Sequence, residues 1–251
     1  MIMSYFLKFS IRIFQRLWMI KIGRLFLGSS PKIAAVITNS SDKKNLKKSI
    51  EHGADLLELR IDFFKDIEPA ILSRAIKGLR QYKIPLIATI RSRKEGGNRA
   101  LSDRQRLDIF RHIIPYADGV DIELSSKKII KDIVSAAKKS NKKVIVSYHN
   151  FRKTPDARKL NRIIQEGKRA GADIVKIAAM AKDMNDMLRL AELTLKHKNL
   201  IIISMGELAK ISRVFFPIMG SFITYGTVSE SSAPGQMPLK ILKRELNLYK
   251  P

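Results

Sequence analysis

The 251-residue chain contains no cysteine. That excludes disulfides, zinc-thiolate sites and a cysteine nucleophile, and it fits a reducing cytoplasm. The chain also lacks a Pro/Gly/Ser-rich linker, and its 45% hydrophobic and 28% charged residues are an ordinary globular balance, so one domain is expected. No glycine-rich phosphate loop follows the first β-type run, which weighs against an open, doubly wound nucleotide-binding sheet. Acidic residues are scarce: 23 Asp and Glu against 48 Lys and Arg, for a net charge of +25. Such a field suits a nucleic acid, an anionic surface or an anionic substrate. The basic residues are spread along every expected helix, with no aromatic-interleaved patch and no nucleic-acid motif, so nucleic-acid binding is not expected. No helix stands out in the sequence as an unusually apolar interface.

The N-terminal stretch "MIMSYFLKFSIRIFQRLW" differs from the rest. Lys8, Arg12 and Arg16 recur at i+4 along one helical face, among Phe, Ile and Leu. The charges break any run long enough to span a bilayer, and the short charged start and small-residue cleavage site of a signal peptide are absent. Two readings stand for residues 1–18: a basic amphipathic helix on a membrane surface, or a loosely attached extension, with Met19 as an alternative start. Stable membrane insertion is not expected. Residues 19–28, "MIKIGRLFLG", read as a hairpin about Gly23.

From Pro31 a rhythm sets in. Apolar β-type runs occur at 32–38, 55–61, 85–91, 119–124, 143–149, 173–179, 200–205 and 221–226, with charged, helix-spaced segments between them and "PLKILKREL" after the last. Eight repeated βα units of this length predict a (β/α)8 barrel over 19–251, an α/β fold. Barrel sites form at the C-terminal ends of the strands, so position along a strand carries information. In "DLLELRID", Glu58, Arg60 and Asp62 share the face opposite Leu57, Leu59 and Ile61, and the charged face must point into the barrel. Glu58 and Arg60 read either as site residues or as an ion pair plugging the barrel. Arg91 ends strand three and reads as a site residue or a solvated loop residue. Glu95 follows in the next loop.

His149 closes strand five, whereas His52, His112 and His197 fall in helical stretches. Lys176 sits in "GADIVKIAAM", flanked by Val175 and Ile177. Charged and unpaired there, it would cost several kcal/mol. It can snorkel to the mouth, pair with Glu58, or, with its pKa lowered by desolvation, act as an amine nucleophile toward a carbonyl. A strand-embedded lysine beside a strand-end histidine, with arginines converging, points to imine chemistry on a small anionic keto compound. A class I aldolase would share these features, and an anion-binding barrel without catalysis would share the charge.

The segments "ELRID", "IRSRKEGG", "SYHNFRKTP", "GADIVKIA", "SMGELAKISR" and "SSAPGQMP", in this order from Lys32 to the C-terminus, resemble the type I 3-dehydroquinate dehydratase family of the shikimate pathway, its archaeal branch most. The resemblance implies a barrel lyase that converts 3-dehydroquinate to 3-dehydroshikimate by syn elimination through an imine, with no metal and no organic cofactor. It makes Lys176 the Schiff-base lysine, His149 the general acid/base and Glu95 its orienting partner. It has Arg213 bind the substrate carboxylate with help from Gln236, and Glu58, Arg60 and Arg91 contact the ring hydroxyls and carbonyl. Ser232 and Gln236 belong to a loop that closes over substrate, and a homodimer follows by family analogy. Two departures stand out. Leu59 replaces a frequent Trp and should face the helices. Ala209 replaces a common glycine before Arg213; a positive φ there would cost roughly 1 kcal/mol.

Overall fold

The computed structural model describes residues 19–228 and 235–249. The extension at 1–18 and Ser232 lie outside those residues. Strands β1 (Ile20–Ile22) and β2 (Leu25–Leu27) form the expected antiparallel hairpin, with Ile20 opposite Leu27. It turns at Gly23, whose φ is +56°, and a Cβ there would stand 2.9 Å from the Asp118 carboxyl group.

The chain then alternates through β3 (Lys32–Ile37), α1 (Lys43–Glu51), β4 (Leu56–Arg60), α2 (Pro69–Leu79), β5 (Leu86–Thr89), α3 (Asp103–Ile113), β6 (Gly119–Glu123) and α4 (Ile130–Lys139). It continues with β7 (Lys143–Asn150), α5 (Ala157–Arg169), β8 (Ile174–Met180), α6 (Met184–Lys196), β9 (Leu200–Met205), α7 (Ala209–Ile218) and β10 (Ile223–Thr227). After the next loop come β11 (Met237–Pro238) and α8 (Leu239–Leu248). Parallel ladders join β3 through β9 in sequence order, and β10 returns beside β3. The seam between β9 and β10 is closed by Phe222 N–H donating to Leu200 O at 2.8 Å and Ile202 N–H donating to Ser221 Oγ at 2.9 Å. This is the expected eight-stranded barrel. The two-residue β11, which extends β10 at Gly226 and Thr227, is too short to leave a pattern in the sequence.

Helix starts follow capping chemistry. Asp42, Asp156 and Asp183 accept from the third backbone N–H of α1, α5 and α6, and Ser102 with Gln105 forms a reciprocal box at α3. The strands separate two cores by their period of two. The outward one holds Leu57, Leu59 and Ile61 against the helices, as expected for Leu59. The inward one holds Leu56, Ile87, Ile145, Ile174, Ile201 and Ile223 over Ile22 and Leu27 of the hairpin, which plugs the N-terminal end of the barrel.

Two expectations need correction. Ala209 opens α7 in helical conformation, and the positive-φ residues other than glycine are Lys83, Asn141 and Asn199 among the described residues, so no backbone strain arises at Ala209. One helix face is unusually apolar after all. On α7 the exposed side chains are Lys210, Ile211, Phe215 and Ile218, with Phe215 52% exposed. Leu188 and Leu195 of α6 and Leu248 and Tyr249 at the end of α8 are also exposed, and the Phe215 and Tyr249 rings lie 6.4 Å apart. Spacing of i, i+4, i+7 hid this stripe, because the same spacing describes a core-facing one.

Candidate active site

Along each inner strand face, aliphatic residues give way to polar ones toward the C-terminal end. Leu56 is followed by Glu58 and Arg60, Ile145 by Ser147 and His149, Ile174 by Lys176, and Ile223 by Tyr225. The result is a cavity, partly open to solvent, at the C-terminal mouth of the barrel. Glu58, Arg60, Arg91, Glu95, His149, Lys176, Arg213 and Gln236 all line it. Every sequence-expected site residue within the described residues therefore converges on one place.

Lys176 is 4% exposed. Its Nζ donates to Asp121 Oδ2 at 3.0 Å and to Glu58 Oε1 at 3.4 Å, and it sits 4.3 Å from the centre of the Tyr225 ring. Burial alone would lower its pKa, but Asp121 and then Glu58 outweigh burial and hold it above the ordinary lysine value. The expectation of a lowered pKa is thus reversed: the two carboxylates favour the ammonium form of Lys176. Asp121, in turn, is buried but is held far below the usual carboxylate range by Arg91 and Lys176.

His149 pairs with β8 beside Lys176, since Ser147 lies opposite Lys176 and His149 opposite Ala178. Glu95 ends the short turn after β5 and is buried. Its Oε2 lies 2.9 Å from His149 Nδ1 and also accepts the His149 backbone N–H at 2.9 Å, while Ser125 O–H donates to Oε1. With this carboxylate as acceptor, the imidazole proton sits on Nδ1 and leaves Nε2 as the free base. Burial, then Arg91 and Lys176, push the His149 pKa well below its ordinary value, so the ring is neutral at neutral pH. Burial raises Glu95 to about 7, although Ser125 and Arg91 oppose the shift.

The arginines divide into two kinds. Arg60 does not pair with Glu58; it forms a two-point pair with Asp62, Nε to Oδ1 at 2.9 Å and Nη2 to Oδ2 at 2.8 Å. Arg91 is buried rather than solvated, and its Nη1 meets Asp121 at 2.9 Å, Glu123 at 3.0 Å and Ser147 at 2.7 Å. Arg213 is different. It is carried on the second turn of α7, is 3% exposed, and its Nε has no hydrogen-bond partner among the described residues. Burial lowers its pKa to about 10.

Sequence reasoning missed Asp121, Glu123, Tyr225 and Arg106. The first two alternate with Val120 and Ile122 in "GVDIEL" and were legible by the logic applied to "ELRID". Arg106 gave no signal. It lies in the charged helix α3, yet it is 1% exposed and reaches inward to Ile90 O at 2.8 Å, Ser126 Oγ at 2.9 Å and Glu123 Oε2 at 2.5 Å.

These features define a (β/α)8 barrel whose mouth holds a buried lysine, a histidine–carboxylate pair and an unpaired guanidinium. Comparison with known proteins narrows the class. The type I 3-dehydroquinase family model matches residues 33–251, and the chain belongs to that family. It is 39% identical to the 3-dehydroquinate dehydratase of Methanococcoides burtonii over 92% of this chain and 99% of that one. It is 41% identical to that of Hydrogenobaculum sp. over 83% and 94%. Among solved structures, the Geobacillus kaustophilus 3-dehydroquinate dehydratase superposes with a TM-score of 0.84 at 32% identity, covering 92% of this chain and 95% of the other. The Clostridium difficile type I enzyme, solved with covalently modified comenic acid, gives 0.82 at 31% identity over 92% and 96%.

Proposed function

We infer that the chain is a hydro-lyase that dehydrates 3-dehydroquinate to 3-dehydroshikimate through a Schiff base on Lys176. The observation that carries the reading is the shared cavity of Lys176, the free Nε2 of His149 and the unpaired Arg213. Arg213 takes the substrate carboxylate. Lys176 passes a proton to His149 Nε2 and attacks the ketone, and His149 returns that proton to the carbinolamine hydroxyl. Loss of water from the carbinolamine leaves an iminium, which acidifies the adjacent C–H. His149 Nε2 removes the C2 proton, and the resulting enamine expels the C1 hydroxyl as water with that proton. Hydrolysis of the iminium returns Lys176 and releases product, so the net change is loss of one water.

Glu95 holds the imidazole through Nδ1. Glu58, Arg60 and Arg91 line the ring-binding space, and Gln236 with Ser232 belongs to the covering loop. The cysteine-free composition supports a cytoplasmic setting for the same reading.

Borohydride reduction in the presence of 3-dehydroquinate, followed by peptide mass spectrometry, tests the mechanism. An adduct on Lys176 is expected; turnover without any adduct would remove the imine, and aldol cleavage of a sugar phosphate would favour the aldolase reading.

A second copy of the chain is the partner this reading includes, docked through the α7 face. The net charge of +25 makes two copies repel, whereas Ile211, Phe215 and Ile218 leave only Lys210 charged on the exposed side of α7. Sedimentation of wild type and Phe215→Lys should show a dimer and a monomer; a monomeric wild type at assay concentration removes the dimer.

A further inference from the structure

Two residues that line the cavity each carry a buried hydrogen-bond donor that lacks a partner among the described residues: Nε of Arg213 and the hydroxyl of Tyr225. Tyr225 stands on the inner face of β10, is 3% exposed, and lays its ring against Lys176 at 4.3 Å. Its ring accounts for the contact with the ammonium ion, since a cation over a π face gains energy without any hydroxyl. The hydroxyl therefore needs its own reason. An unsatisfied buried hydroxyl costs stability, and phenylalanine would fill the same volume without that cost. Burial also keeps the phenol protonated far beyond neutral pH, so it is available as a donor. Arg213 and Tyr225 line the same cavity.

We propose that Tyr225 O–H and the Arg213 guanidinium together form a two-donor clamp for the substrate carboxylate, with Tyr225 as a second specificity-determining residue. A carboxylate offers two oxygens and about four lone-pair sites, enough to satisfy both donors at once. The clamp fixes the carboxylate beside Lys176, because Tyr225 lies against Lys176 and lines the same cavity as Arg213. It rests on the dehydratase reading and adds to it a contact that the charge of Arg213 alone does not require.

The test is Tyr225→Phe, which keeps the ring. Two readouts are compared with wild type: steady-state turnover of 3-dehydroquinate, and the concentration dependence of borohydride trapping for 3-dehydroquinate and for a hydroxylated cyclohexanone lacking the carboxylate. A hydrogen bond to a charged acceptor corresponds to roughly a 10- to 100-fold loss in kcat/KM for 3-dehydroquinate, carried mainly by KM. Half-saturation of trapping should rise by a similar factor for 3-dehydroquinate and by less than about twofold for the uncharged ketone. Equal losses for both ligands make Tyr225 a structural residue and overturn the clamp, as does an unchanged KM. If wild type itself neither turns over 3-dehydroquinate nor forms an adduct, the dehydratase reading fails and takes the clamp with it.

Discussion

Replacing Glu95 by glutamine sets stability and activity against each other, and the structure fixes the size of the effect. Burial raises the Glu95 carboxyl from 4.5 to about 7, against Ser125 and Arg91, which pull it down. The folded protein thus prefers the protonated group. Glu95 contributes stability that is fully present below about pH 4.5 and is lost as pH rises through about 7. A rise from 4.5 to about 7 corresponds to about 3 kcal/mol lost by pH 8, at 1.36 kcal/mol per pH unit. Glutamine is neutral at every pH and escapes this loss. Glu95→Gln should therefore match wild type near pH 4.5 and exceed it by about 2–4 kcal/mol near pH 8.

Activity moves the other way. Glutamine presents a carbonyl or an amide to Nδ1, weakening the hold on the imidazole and its Nε2-basic tautomer, so kcat should fall by about 100-fold. In wild type, kcat/KM should decline as pH falls through about 7, where Glu95 becomes protonated while His149 is still neutral. That acid limb should shift downward in the variant. Urea unfolding at the two pH values and a pH–rate profile decide the matter. A stability difference that stays constant between pH 4.5 and pH 8 refutes the reasoning, since it means Glu95 is not held against its charge.

Lys176→Met should abolish both adduct and turnover. It should also lower stability by about 3 kcal/mol, because among the described residues Glu58 would keep only Thr89 O–H, at 2.9 Å, as its partner; an unchanged urea midpoint would deny the ion pair. Arg213→Met should raise KM by about 100-fold while raising stability by about 2–3 kcal/mol at neutral pH, since burial holds the folded guanidinium near 10 and the apolar residue removes that penalty. Thermal melts and steady-state kinetics on the same preparation read both. Gly235→Ala should impair substrate retention, because Gly235 has φ +75° and a Cβ there would stand 2.2 Å from Ala209 Cβ. Adding Ala209→Gly should restore part of the loss, and no recovery in KM would mean that the backbone angle dominates the contact.

The barrel was legible because each strand carries its own instruction. "KIAAVIT" and "LIIISM" are continuous apolar runs, as strands covered on both faces must be. Polar residues at strand ends then marked the mouth, and Lys176 and His149 stood out because no packing role suits them. What the sequence hid was pairing. Glu58 and Arg60 are neighbours on one strand face, yet Glu58 reaches across the barrel to Lys176 and Arg60 folds back onto Asp62. Arg106 was invisible because a buried guanidinium on a helix has the same local spacing as a solvated one. Lys176's protonation was misjudged for the same reason: desolvation can be read from Val175 and Ile177, but the opposing carboxylate of Asp121 arrives from a strand 55 residues away.

The ammonium state of Lys176 at first looks hostile to a nucleophile, and its meaning depends on which step the site must favour. Asp121 and Glu58 stabilise positive charge at Nζ. A neutral amine gains nothing from them, so they oppose the first attack. The iminium, however, carries a positive charge on the same nitrogen, and it must stay protonated to act as an electron sink when the neighbouring proton leaves. Carboxylates fixed 3.0 and 3.4 Å from Nζ act on that cation without reorganising during the reaction. His149 is tuned oppositely, kept neutral by burial and by the Arg91 and Lys176 charges. The pair therefore enters the proton-transfer step in the required forms, cation on the lysine nitrogen and free base on the histidine. The cost is carried by the earlier deprotonation of Lys176, which the carboxylates beside Nζ oppose.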